Sequence, residues 1–170
     1  MRAALLDTRG AIFVEHLIAF LPVMFLFLAT WQLIELAAAH LIVQRAASAA
    51  ARAAIVVLPD DYHFYADGSK PNQFAGERKQ DIELAAAMIL ATSPHFSSDL
   101  DVSVTPASGS ELLTATVKAK FHCFAAWVSL VCGADGAREL TATSSNAYQG
   151  AAYNYDLGAP PADPGLEPHP

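Results

Sequence analysis

Arg9-Gly10-Ala11-Ile12-Phe13-Val14-Glu15 leads without a break into His16-Leu17-Ile18-Ala19-Phe20-Leu21-Pro22-Val23-Met24-Phe25-Leu26-Phe27-Leu28. From His16 to Ile34 there is no Asp, Glu, Lys or Arg. The apolar run Ala11–Ile34 covers 24 residues. As a helix it reaches about 36 Å, enough to cross a bilayer. One acid, Glu15, stands near its start. A carboxylate is costly at the edge of a membrane span, and such a group usually marks function.

A secretory signal peptide is the first rival for this stretch. Its apolar region is about 7–15 residues long and ends in a small-residue cleavage site. Ala37-Ala38-Ala39 mimics such a site. The run here is too long, and Glu15 would fall at the front of the apolar region, so a retained span is the better reading. Arg2, Arg9 and the α-amino group precede the span, and Arg45 and Arg52 follow at a greater distance. The nearer positive charges place the N-terminus in the cytoplasm. Pro22 removes one backbone hydrogen bond within the span and predicts a kink or a loosened turn.

Helical character continues past Glu35. Alanine, the best helix former, dominates residues 37–54. His40, Gln44, Ser48 and Arg52 recur at every fourth position and lay one polar stripe along this half. A single helix from about Ala11 to about Leu58, ending before Pro59, follows. Residues 59–76 read as a loop. Glu77–Thr92 reads as an amphipathic helix with Ile82, Ala85, Ala86 and Ile89 on one face and acids in its first turns. Ser93-Pro94 closes it.

The remainder reads as strands. Asp101–Thr105 alternates, and Leu113–Phe121 alternates with Leu113, Ala115, Val117, Ala119 and Phe121 on one side. Ser108-Gly109-Ser110 marks a turn between them. Glu139–Ser144 is a third strand, preceded by an Asp135-Gly136 turn. Three strands with one apolar face need a cover, which the second half of the long helix supplies. The expected fold is therefore α+β: a long N-terminal helix, spanning a membrane and then packing on a small antiparallel sheet, with one further helix. The Pro- and Gly-rich residues 149–170 read as a flexible tail.

Composition narrows the function. Hydrophobic residues make up 54% and charged residues 16%, an excess concentrated at the N-terminus. The net charge is −7, and loss of residues 1–10 would leave the chain more acidic still. That argues against nucleic acid as a partner and against docking through a polybasic patch. No nucleophile elbow, phosphate loop, dinucleotide fingerprint or metalloprotease helix motif occurs, so neither an enzyme nor a cofactor is expected. Asp60-Asp61-Tyr62-His63 with Asp67 matches no cation-loop spacing and reads as a solvated acidic loop. His122, Cys123 and Cys132 offer three ligands where a structural zinc wants four, so no metal is expected. In an exported domain the two cysteines are compatible with one disulfide, the other reading being two separate thiols.

The spacing of Gly10, Ala11 and Glu15 carries the sharpest expectation. A cut behind Gly10 gives Ala11 a new α-amino group, with the Glu15 carboxylate four residues on. That carboxylate can pair with its own N-terminus or with a neighbour's, which sets register in a low-dielectric assembly. Glycine, four residues and then a glutamate heading an apolar helix resembles the leader shared by type IV pilins. Pro22, the second acid Glu35, the Ala-rich continuation to Ala54 and the later Thr/Ala-rich strands resemble the TadE-like minor pseudopilins of tight-adherence (Flp-type) pili. The specific part of this resemblance is Arg9–Ala54.

The resemblance implies a leader over residues 1–10, a helix over 11–58 and an extracytoplasmic domain over 59–148. It implies cleavage by a prepilin peptidase. It also implies residence in the inner membrane as a single-pass protein, with possible incorporation into a surface pilus. The partners would be other pilin and minor pilin subunits, the assembly platform and membrane lipid. The role would be in building or tipping a pilus for surface attachment. An unprocessed membrane scaffold or binding module, a secreted domain freed near residues 38–40 and a secretion-system pseudopilin stay open beside it.

Overall fold

The computed structural model describes residues 9–65, 70–106, 112–123, 132–133 and 135–148. The Ser108-Gly109-Ser110 turn, Asp67 and the tail lie outside them. Helix α1 runs Arg9–Val57, 49 residues, and passes through Pro22 without interruption. Helix α2 spans Gly76–Leu90. Strands β1 (Phe96–Pro106), β2 (Leu112–His122) and β3 (Ala137–Ala147) form an antiparallel sheet in the order β1-β2-β3.

The alternation read in the sequence fixes which face of this sheet is buried. Leu113, Ala115, Val117, Ala119 and Phe121 point inward from the central strand. Register carries the pattern across, with Val102 opposite Val117 and Val117 opposite Ala142. The outer face carries hydroxyls in the same register: Ser103 opposite Thr116 opposite Thr143. Beside them, Thr114 Oγ1 lies 2.9 Å from Ser145 Oγ.

The cover is the second half of α1. Ala39, Val43, Ala46, Ala47, Ala50, Ala51 and Ala54 are buried against the sheet and α2, while His40, Gln44 and Arg52 are exposed. Ser48, the remaining member of the polar stripe, is half-buried. Alanine lacks a side chain beyond Cβ, so the helix backbone can lie close to the strands. Helix α2 adds Ile82, Ala86 and Leu90 to the same core.

All three strands extend beyond their expected limits, and α2 stops at Leu90 rather than Thr92. Strand β1 begins five residues earlier than read, at Phe96, because a register irregularity between Phe96 and Leu100 hides its alternation. The Asp135-Gly136 turn is present, with Gly136 at φ 67° and its N–H donating to the Gly133 carbonyl at 3.2 Å. That left-handed backbone suits glycine.

One residue departs from the simple amphipathic reading of α2. Arg78 lies on its apolar face and is fully buried. Its guanidinium donates to the carbonyls of Leu58 at 3.2 Å and Asp60 at 3.0 Å, and also to that of Val57. The Tyr65 ring covers it at 3.9 Å. These are carbonyls at and just beyond the C-terminus of α1, where a helix leaves acceptors unmet and its dipole favours a cation.

Candidate functional site

The residues singled out from sequence occupy two places. Gly10 and Ala11 lie in the first turn of α1, which begins at Arg9. Glu15 follows on the same helix and is exposed, with no ion pair or hydrogen bond among the described residues. Residues 13–27 are all exposed, among them Phe13, Leu17, Ile18, Phe20, Leu21, Phe25, Leu26 and Phe27. The most apolar stretch of this helix has a mean hydropathy of 2.2. One apolar N-terminal helix is thus long enough to cross a membrane. A soluble surface does not offer such a continuous apolar patch without a partner or a lipid phase to cover it.

Cys123 and Cys132 are far along the chain from this helix half. They form a disulfide with their Cα atoms 6.4 Å apart. The bridge closes a loop between β2 and β3 and is anchored on the β2 side by the Cys123 N–H donating to the Gly136 carbonyl at 3.0 Å. His122, beside it, has an exposed side chain.

Within the acidic loop His63 and Phe64 are exposed, but one acid turns inward. Asp61 is 1% exposed and accepts from the His63 backbone N–H at 3.1 Å, with its Oδ1 also 2.7 Å from His63 Nδ1. A carboxylate under the surface needs such partners. The loop is tied down further by Tyr148, whose hydroxyl donates to Asn72 Oδ1. Asn72 itself takes a left-handed backbone, φ 65°, and donates its N–H to the Leu58 carbonyl at 2.6 Å. Burial raises the phenol pKa of both Tyr65 and Tyr148 above the ordinary value, with the Arg78 charge opposing it in each case. For Tyr65, Asp60 adds to the rise.

A second cluster lies where α1 meets the domain. Trp31 Nε1 donates to Glu35 Oε1 at 2.7 Å, and the Phe27 and Trp31 rings stand 6.4 Å apart. His95, in the turn before β1, joins Phe27, Leu28, Trp31 and Glu35 in lining one groove. Gln32, on the same stretch of helix, is 3% exposed. In the sequence Glu35 stands out only as a second acid. The four-residue spacing of Phe27, Trp31 and Glu35 was a visible signal for a shared face, whereas His95 is brought in only by the fold. No protein-family model matches the chain, nor does any curated protein or solved structure.

Proposed function

We propose that this chain is a membrane-anchored, prepilin-like minor pilin or pseudopilin of the TadE-like kind, cleaved behind Gly10 and working in pilus assembly rather than catalysis. The observation that carries the reading is the division of α1. Its first half exposes large apolar side chains over residues 13–27, and its second half seals a three-stranded sheet with alanines. An anchor that becomes a packing element in a filament needs the first property. A domain held at a fixed height above the membrane needs the second. On this reading Glu15, which is exposed and without an ion pair among the described residues, takes the α-amino group of Ala11 or of a neighbouring subunit. The disulfide suits an oxidising compartment, which supports an extracytoplasmic domain.

The test is the mature N-terminus of the membrane-fraction protein, read by intact mass and N-terminal peptide sequencing with and without a prepilin peptidase. A peptidase-dependent start at Ala11 is expected. A retained Met1, or a start beyond Ala37, overturns the reading. With processing established, Glu15→Ala is expected to leave the domain folded and the chain membrane-bound while abolishing its incorporation into filaments.

A further inference from the structure

Phe27, Trp31 and Glu35 recur every four residues, so they make one stripe along one face of α1. With Leu28 and His95 they line a groove of about 470 Å³ at the point where the apolar half of the helix reaches the domain. Its walls are aromatic and aliphatic, and its polar side-chain groups are one carboxylate, one imidazole and the Trp31 indole N–H.

Depth along the helix says what this groove meets. Glu15 and Glu35 are twenty residues apart in one continuous helix. That separation is about 30 Å, the thickness of a bilayer's hydrocarbon core. On the membrane reading proposed above, on which this inference rests, the two acids bracket the hydrocarbon. Glu35 then stands at the outer headgroup level, with Phe27 and Leu28 about 10–12 Å deeper.

Glu35 is also incompletely satisfied. Its Oε1 accepts from the Trp31 indole, but its Oε2 is shut off from water without a hydrogen bond, as is Gln32 Nε2. Turning these last two toward each other would match one donor with one acceptor. It would leave the carboxylate's charge uncompensated, because an amide is neutral. Among the described residues no cationic side chain pairs with Glu35. A carboxylate partly withdrawn from water calls for a counter-charge nearby.

We propose that this groove binds the primary-ammonium headgroup of an aminophospholipid. The ammonium sits against the Glu35 carboxylate and the face of Trp31, where charge-assisted hydrogen bonding and cation–π attraction act together. The indole N–H holds the carboxylate in place for it. The phosphodiester lies toward His95, whose ring can donate an N–H, and an acyl chain follows Leu28 and Phe27 into the hydrocarbon. The chain's net charge of −7 favours a zwitterionic headgroup over an anionic one.

The test uses the full chain, extracted from vesicles containing equal parts phosphatidylethanolamine and phosphatidylglycerol in a phosphatidylcholine background. Native mass spectrometry counts the lipids retained, and vesicle flotation after carbonate washing is measured in parallel. The wild type is expected to retain phosphatidylethanolamine over phosphatidylglycerol by about tenfold, one good charge-assisted contact. Glu35→Gln keeps an oxygen for the Trp31 N–H and is expected to fold normally by far-UV circular dichroism, yet to lose that preference. Equal retention of the two lipids by the wild type, or a preference that survives Glu35→Gln, overturns the site. So does a Glu35-dependent protein dimer without retained lipid, which would make a neighbour's amine the occupant. A chain that fails to float in any composition overturns the membrane reading itself, and that result is distinct from flotation without headgroup preference.

Discussion

Residues 13–27 of α1 carry Phe, Leu, Ile, Val and Met and expose all of them, whereas residues 39–54 are half alanine and bury one whole side. Both halves are apolar and both are helical, so hydrophobicity alone does not separate them. Side-chain size does. Large branched and aromatic side chains give a helix a broad surface for lipid or for other helices. Alanines give it a thin profile that a sheet can approach closely, at the cost of tolerating no added volume. The polar stripe of the second half has no counterpart in the first, where residues 16–34 carry no charged side chain.

The strongest way to break this comparison acts at the end of the buried half. Arg78→Met removes the guanidinium from the carbonyls of Val57, Leu58 and Asp60 and leaves buried acceptors unmet. A loss of about 3–4 kcal/mol is expected, read from denaturant unfolding in detergent micelles. Next comes the disulfide. Replacing both Cys123 and Cys132 by Ser frees a nine-residue separation. It should destabilise the domain by roughly 2–3 kcal/mol while the helical signal of the exposed half persists.

A matched pair sharpens the contrast between the halves. Ala50 is fully buried and Leu26 is exposed. Ala50→Leu overfills the helix–sheet contact and should lower domain stability by about 1–3 kcal/mol. Leu26→Ala should change domain stability by less than about 0.5 kcal/mol. Equal effects from the two would mean that the halves are not mechanically distinct.

The smallest expected effect is alkaline. Tyr65 and Tyr148 have pKa values raised above 10.0 in the folded state. Between the ordinary and the raised value the folded chain holds more protons than the unfolded one, so stability falls as pH rises. Denaturant midpoints should be level through neutrality and decline above about pH 10. Tyr148→Phe should make that decline shallower, since an ionised Tyr148 can no longer donate to Asn72.

Much of this architecture was legible in the sequence because its signals are local and periodic. The alternation in β2, the polar stripe at His40, Gln44, Ser48 and Arg52, and the glycine turn at Gly136 each depend on neighbours within a few residues. The buried cation Arg78 was not legible. A charged residue on an apolar helix face normally argues for exposure, and its partners are about twenty positions away. The burial of Asp61 is hidden for the same reason: composition marks a loop as acidic but not which acid turns inward. The early start of β1 was hidden by a bulge that breaks the alternating pattern. At the proposed site, Gly10, Ala11 and Glu15 stand out by spacing alone, whereas the Trp31–Glu35 hydrogen bond and the arrival of His95 require the fold.

Because α1 is one helix of 49 residues, it is also a protractor. Every residue between the exposed and buried halves adds about 1.5 Å of height and about 100° of rotation. The direction in which the hydroxyl-bearing face of the sheet looks is therefore set by the residue count between Ile34 and Ala39. Inserting a single alanine there would swing that face through more than a quarter turn about the helix axis, keeping the contacts of Ala39–Ala54 with the sheet but carrying Phe27, Leu28 and Trp31 away from His95.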